Sequence, residues 1–561
     1  MDQNIHKISI LFKEKKFEEL ILHIEKNFKY KSAQILNILA VSRLLKFKDA
    51  NSMILALQEF KEAYIKEKKT KYGLEALINF INTASDLYES LNIAQEKIFK
   101  SSDYLDESNS FFKEAELHFG YNKKLISAVL RVFKFQCQIK KVLFYYKLLL
   151  DKEELELNSI ISFIFYNSYL DNWTQKDYFI QTKSIEKKIE TLSDQKLFRY
   201  NNQNNKKIRI GFLSRDILKK HSVTYFLKTV LYTYNKNIFD VFLFIDNEIE
   251  DENTKEFTSS VDYFHNLSKL STLEAINLIR EKKLDIIVDL MGLTSVRGLS
   301  IFKNRVAHKQ ISWLGYNNTT GLENMDYLIA DQNLIYPEDE KFYQEKIIFL
   351  PDIWACHSGE SFKINKTDHP FLKNKYITFG SFNNFKKITE KVIRVWSSIL
   401  KLTKNSKLVL KSSEKIDYNY LKLRFKKYGV FDSVVFIDKL KLQKHFELYN
   451  EIDIALDTFP YNGVTTTFEA ILMGVPVVTM KGFNFNSRCG ESININLDRK
   501  NLIANDEADY IDIASKLGNN KLSLVENRNF IKEKAYSTPL FDIKKFSNNF
   551  FNSLEKVYNN L

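Results

Sequence analysis

Proline and glycine are scarce in this chain. Its 561 residues include 6 prolines and 15 glycines, about 1 % and 3 % against usual levels of about 5 % and 7 %. The first proline is Pro337, and only Gly73 and Gly120 precede Gly211. A stretch of that length with almost no turn-forming residues reads as long helices rather than as sheet and turn. The three cysteines, Cys137, Cys356 and Cys489, stand far apart with no CxxC spacing. They support neither a disulfide framework nor a cysteine zinc site, and a reducing, cytoplasmic setting fits them. No segment approaches the ~18 uncharged apolar residues of a membrane span, and the start MDQNIHKISILFKEKKF lacks a secretory apolar region, so no integral membrane span is expected. Arg-rich runs and basic stripes with interleaved aromatics are also missing. The net charge of +13 comes from evenly spread lysines amid abundant Asn and Ile, so no nucleic-acid partner is expected.

The chain is 44 % apolar and 27 % charged, which excludes disordered, collagen-like and mucin-like architectures. At ~100–200 residues per domain it has room for about three domains. From Ile35 to Ile65 apolar residues recur at helical spacing around a polar break at Lys48 and Asp49, which predicts a helix hairpin. A second hairpin is predicted over Leu74–Leu105. Ala56, Phe60 and Ala63 are echoed by Ala94, Ile98 and Ser101, 38 positions later. Such an offset suggests a tetratricopeptide-like solenoid and leaves an irregular helical bundle as the other reading. Further helix runs through Ser162–Trp173, and Asn201-Asn-Gln-Asn-Asn forms a polar linker.

Beyond the linker the period changes. Buried-strand runs begin at Lys207, Asp240, Asp285 and Lys309, and a second series begins at Tyr376, Lys407, Val434, Ile452 and Pro476. Alternation with helical patterns predicts parallel sheets covered on both faces. The expected organisation is a helical repeat-like domain over 1–200, a Rossmann-like lobe over 207–360 and a second such lobe over 370–561 with a closing C-terminal helix. In open α/β lobes ligands collect at the carboxyl ends of strands, so an interlobe cleft is expected.

The most informative segment runs from Asp453 to Met480. A strand ends near Asp457, Pro460 and Gly463 shape a turn, and a helix begins in the run Thr465-Thr466-Thr467. Hydroxyls beside the free amides of a first helical turn suit a diphosphate, and Glu469, one turn further in, suits a ribose diol. The plainer reading is that the threonines cap the helix. Phe382-Asn-Asn-Phe-Lys-Lys, directly after a strand of the same lobe, adds a cation from Lys386 or Lys387 that could neutralise a leaving diphosphate.

Together Trp313-Leu-Gly-Tyr, Thr319-Thr-Gly, Met325-Asp-Tyr, the Phe-Asn-Asn…Lys segment and Leu456-Asp-Thr-Phe-Pro-Tyr-Asn-Gly-Val-Thr-Thr-Thr-Phe-Glu resemble the O-linked N-acetylglucosamine transferase family, including its bacterial SPINDLY-type members. The resemblance runs collinearly over roughly Lys207–Leu502. It implies a GT-B-type pair of lobes behind a tetratricopeptide-like front end. It also implies inverting, metal-independent transfer of a sugar from a nucleotide donor, UDP-GlcNAc foremost, to Ser or Thr hydroxyls of a polypeptide held by the helical repeats. The chain contains no Asp-x-Asp pair of the kind that holds a divalent cation on a diphosphate.

By the same resemblance Lys387 matches the diphosphate lysine, Thr465 and Thr466 the phosphate-binding pair, and Glu469 the acidic residue on the ribose. Leu314 and Gly315 match the sugar pocket, and His445 a nucleotide-side histidine. Ser214-Arg-Asp-Ile-Leu-Lys-Lys-His matches the acceptor-side Asp and His, giving Asp216 and His221, the latter a candidate proton acceptor. The chain departs from the pattern in several places. Asp216 and His221 are five apart instead of four, Val464 replaces a histidine of animal members, and Tyr461 replaces a cysteine near the acetamido group. Met325 to Lys387 leaves no room for the large interlobe insertion of animal enzymes, which implies a compact bacterial-type architecture. GDP-fucose as donor and a non-catalytic helical scaffold are the alternatives.

Overall fold

The computed structural model describes residues 2–192, 206–218, 221–359, 366–367 and 369–559. The Asn201–Asn205 linker lies outside them. The chain forms two compact units, Met1–Glu154 with Glu414–Lys422, and Leu155–Ser413 with Leu423–Leu561.

The first unit contains α1 (Asp2–Lys13), α2 (Phe17–Asn27), α3 (Ala33–Lys46), α4 (Ala50–Lys66), α5 (Lys71–Ser90), α6 (Ile93–Phe99), α7 (Ser101–Phe119), α8 (Lys123–Phe135) and α9 (Ile139–Asp151). The polar break before α4 falls where the sequence places it, and Asp49 caps that helix by accepting from Ser52 N at 2.9 Å. Ala56, Phe60 and Ala63 are wholly buried between neighbouring helices. Their echo is not structural. Ala94 and Ile98 are exposed on the short α6, which ends where Lys100 turns left-handed at φ 48° before Ser101 opens α7. The second helix of the predicted Leu74–Leu105 hairpin is therefore broken in two.

The second unit begins with α10 (Leu157–Asn167) and α11 (Gln175–Glu186). The sequence assigns these helices to the N-terminal domain of residues 1–200, yet they pack with the lobes: Phe165 lies 6.0 Å from Tyr316, and Gln175 Nε2 donates to Asn318 Oδ1 at 2.8 Å.

The first lobe carries β1 (Ile208–Ser214), α12 (Ser222–Leu231), β2 (Phe239–Ile245), α13 (Glu252–Ser260), β3 (Tyr263–Asn266), α14 (Thr272–Glu281), β4 (Ile286–Asp289), α15 (Val296–Lys303), β5 (Lys309–Ser312), β6 (Tyr327–Asp331) and β7 (Lys346–Leu350). Its parallel sheet has the order β3-β2-β1-β4-β5-β6-β7. The second lobe carries α16 (Pro370–Asn374), β8 (Ile377–Ser381), α17 (Glu390–Leu402), β9 (Ser406–Lys411), α18 (Asn419–Lys427), β10 (Val434–Ile437), α19 (Leu442–Leu448), β11 (Ile454–Leu456), α20 (Thr465–Leu472), β12 (Val477–Met480), α21 (Phe485–Asn496), β13 (Ile503–Ala504), α22 (Glu507–Asn519), α23 (Lys521–Lys534) and α24 (Ile543–Asn559). Its sheet, also parallel, runs β10-β9-β8-β11-β12-β13.

Both sheets reverse direction beside their first strand, between β1 and β4 and between β8 and β11, where an open α/β sheet forms its ligand crevice. One apolar core runs through both lobes and includes Ile210, Phe226, Trp354, Phe468 and Phe550. The last helix, α24, returns to the first lobe, with Phe550 4.6 Å from Trp313 and Phe551 4.9 Å from Phe239. A helical front end followed by a GT-B-type pair of Rossmann-like lobes is thus the architecture. Among the described residues no helix is long and apolar enough to cross a membrane.

Candidate active site

The second lobe's crevice is built around one carboxylate. Asp457, just past β11, accepts from Thr458 N at 2.8 Å, Gly463 N at 2.7 Å and Thr479 Oγ1 at 2.8 Å. These bonds curl Thr458–Gly463 into a compact loop that delivers the chain to the start of α20. Burial pushes the Asp457 carboxyl up to about 6, against the amide and hydroxyl donors that favour its charged form.

Lys387 closes the loop from the other side. It ends a 3-10 turn after β8, and its Nζ donates to Asn462 O at 2.8 Å and to Asn383 Oδ1 at 3.4 Å. Burial pushes its ammonium down to about 8 while the Asp457 charge pulls the other way. Of the two adjacent lysines, Lys387 is the one that lines the interlobe cleft, which is walled also by Leu314, Gly315, Thr465 and Thr466.

The threonine run does not cap α20. The cap position is Val464, which offers no side-chain acceptor. Thr466 Oγ1 donates to Asn383 Oδ1 at 3.3 Å, and Thr467 turns inward to give its hydroxyl to Gly463 O at 2.9 Å. Thr465 and Thr466 thus face the cleft with first-turn amides that have no intrahelical acceptor, whereas Thr467 supports the loop. Glu469 lies one turn deeper. Its Oε2 receives His445 Nε2 at 3.0 Å and Tyr449 Oη at 3.4 Å. Burial alone would raise this carboxyl, but the charges of His445, His357 and Lys411 and the His445 bond together hold it below its ordinary value. His445, only 6 % exposed, is a partner of Glu469 within the wall of the site.

On the first lobe, Leu314 takes a left-handed φ of 66° so that Gly315 can lie flat on the chain after β4. A Cβ on Gly315 would stand 2.1 Å from Leu290 O. Trp313 fixes this loop by donating Nε1 to Trp354 O at 2.8 Å. Asp216 and His221, in spite of their five-residue spacing, come together: Nε2 of His221 is 3.7 Å from Asp216 Oδ1. His221 caps α12, its Nδ1 accepting from Val223 N at 3.4 Å. In the neutral ring the proton then sits on Nε2, facing Asp216. The next residues, Ser222 and Val223, line the cleft.

Sequence reasoning missed Asn383 and Asn462 as the partners of Lys387, and Lys411 as a buried cation acting on Glu469. A polar residue just past or at the carboxyl end of a buried strand was the available signal for Asn383 and Lys411, and Asn462 lies deeper in the loop after β11.

Comparison with known proteins gives one consistent answer. The tomato (Solanum lycopersicum) protein with the printed name Probable UDP-N-acetylglucosamine--peptide N-acetylglucosaminyltransferase SPINDLY is 32 % identical over 362 residues, 63 % of this chain and 38 % of that protein. The SPINDLY protein of Eustoma exaltatum subsp. russellianum is 34 % identical over 350 residues, 60 % of this chain and 37 % of its own. The chain thus spans less than half the length of these curated relatives. Among solved structures, a Thermobaculum terrenum O-GlcNAc transferase variant shares the fold with a TM-score of 0.74 at 20 % identity, covering 95 % of this chain and 99 % of its own. The model of glycosyl transferase family 41 matches residues 181–360 and 358–550. The matched segments take in both sheets, the Lys387 turn and the start of α20, and the chain belongs to glycosyl transferase family 41.

Proposed function

We propose that the protein transfers a sugar, with inversion and without a metal ion, from a nucleotide donor to Ser or Thr hydroxyls of a polypeptide. The observation that carries this reading is the convergence of Lys387 Nζ with Thr465 and Thr466 at the start of α20 on one wall of the interlobe cleft. A lysine and a helix N-terminus there meet the negative charge that grows on a departing diphosphate. Glu469, whose Oε2 is taken by His445 and Tyr449, is assigned the ribose diol. Leu314 and Gly315 face the sugar, and the Asp216–His221 pair manages the acceptor proton. In the observed rotamer Nε2 of neutral His221 is a donor. Taking a proton there requires the ring to release its 3.4 Å bond to Val223 N. The helical unit is assigned to the polypeptide acceptor.

UDP-GlcNAc is the first donor to test, because the printed names of the relatives contain it. GDP-fucose is the second, because Tyr461, whose ring lies 4.3 Å from Lys387 Nζ, stands by the family resemblance where animal members have a cysteine near the acetamido group. Binding and product mass spectrometry with UDP-GlcNAc, UDP-glucose and GDP-fucose, with and without a chelator, tests the reading. Failure of every nucleotide sugar to bind at millimolar concentration would overturn it in favour of a scaffold.

Two further results are expected. Because the ammonium form of Lys387 is the useful one, kcat/KM should fall as pH rises through about 8. The same limb should lie higher in kcat, since a bound diphosphate favours the charged form. Glu469→Gln keeps the shape of the side chain but removes its charge, and the donor KM should rise about tenfold with kcat little changed. Steady-state kinetics over pH 6–10 check both.

A further inference from the structure

Tyr461 occupies the point where three parts of the second unit meet. Its ring lies 4.3 Å from Lys387 Nζ. It also meets Phe165 of α10 at 6.0 Å and, edge-on at 5.5 Å, Tyr169 in the turn that follows that helix. Phe165 is held in turn against Tyr316, 6.0 Å away in the loop after Gly315. A helix that precedes the lobes in sequence is therefore connected to the cleft lysine through a single ring.

We propose that Tyr461 is a positioning residue for Lys387, and that Phe165 of α10 and Tyr169 just after it are the buttress that holds its ring against the ammonium. The inference deepens the proposed function and rests on the assignment of Lys387 to the donor diphosphate.

The physical case concerns how a cation can be kept both charged and available. Among the described residues the ammonium of Lys387 has only neutral hydrogen-bond partners, Asn462 O and Asn383 Oδ1. The groups facing it are Asp457 past β11, the Cys489 thiol on α21 and the Tyr461 ring. Asp457 spends its oxygens on Thr458 N, Gly463 N and Thr479 Oγ1. A carboxylate placed directly on Lys387 would compete with the diphosphate for the same charge. An aromatic face attracts a cation through its quadrupole and adds no net charge, so it steadies the ammonium and leaves the full positive charge for the ligand. The contact needs the ring held at one angle, and the edge-on packing of Tyr169 with the tilted packing of Phe165 supplies that restraint.

The test uses the full chain with Tyr461→Phe, Tyr461→Leu and the pair Phe165→Leu/Tyr169→Leu. The titration midpoint of Lys387 is read by competitive acetylation and mass spectrometry, which needs no turnover, alongside the pH profile of kcat/KM. Tyr461→Phe keeps the ring and should keep the Lys387 midpoint of the natural protein. Tyr461→Leu should lower the Lys387 midpoint by about half a unit to one unit and kcat/KM by about threefold to tenfold near neutrality, with a loss that grows as pH rises. The Phe165→Leu/Tyr169→Leu pair should shift both in the same direction, and it carries the test if Tyr461→Leu fails to fold. An unmoved midpoint in Tyr461→Leu and in that pair would overturn the proposal, as would a Tyr461→Phe that behaves like Tyr461→Leu. A midpoint that moves as expected in a protein that turns over no donor would uphold the proposed contact and refute the proposed function.

Discussion

Lys387→Ala is expected to reduce sugar transfer by about 10²–10³ while leaving the protein folded. The size follows from its place: it is the cation on the cleft wall that also carries Thr465 and Thr466, and its charge is needed most when the diphosphate leaves. Stability should survive for a separate reason. The ammonium is buried at a cost, which its depressed midpoint of about 8 records. The carbonyl of Asn462 that it leaves behind faces the cleft, where water can replace it. The sign is testable. A lysine that titrates lower in the folded chain than in the unfolded chain weighs on stability fully below about 8, and that weight lifts as pH climbs toward the ordinary lysine value near 10.5. The natural protein should therefore gain stability over that window relative to Lys387→Ala, which lacks the group. Turnover within a few-fold of the natural protein would refute the assignment of Lys387. Arginine should not rescue it, since a planar fork cannot reproduce the two bonds to Asn462 and Asn383.

Gly315→Ala should be the most damaging single methyl group in the first lobe. The three atoms nearest its Cβ are Leu290 O at 2.1 Å, Leu290 C at 2.5 Å and Met291 Cα at 2.7 Å. All are backbone, and Leu290 and Met291 are fully buried directly after β4, so no side chain can swing aside to make room. Either the strand end or the Leu314–Tyr316 loop must lift. The expected outcome is a loss of about 4 kcal/mol or more in chemical denaturation, or a folded protein whose displaced loop no longer shapes the sugar side of the cleft, with donor binding reduced more than a hundredfold. Natural stability together with natural donor affinity would show that the loop does not pack as described.

Much of the lobes was legible in the sequence because strands buried on both faces of a parallel sheet read as unbroken apolar runs. The Ile208, Phe239, Ile377 and Ile454 strands all emerge that way. The helices were less transparent. Helical spacing read through Ser162–Trp173 points to a helix, which in the structure is α10 and ends at Asn167, but periodicity does not say which surface that helix covers. The echo of Ala56, Phe60 and Ala63 failed because pattern matching cannot see that Lys100 turns left-handed and splits the segment. In the site, three consecutive threonines look equivalent on paper. A helix rotates each residue by about 100°, so not all three can face one side, and Thr467 is the one turned away. The meeting of His445 with Glu469, and of Tyr461 with α10, joins residues on separate elements that no local pattern links.

The return of α24 to the first lobe has a mechanical consequence. The polypeptide passes between the lobes twice, once after β7 and once before α24, and the two passages are joined where His357 N donates to Leu540 O at 3.0 Å. A single strand would act as a swivel about which the lobes could twist freely. Two crossings joined at His357 and Leu540 oppose such a twist. The joined crossings thereby help to hold Lys387 and the Gly315 loop in one register across the cleft.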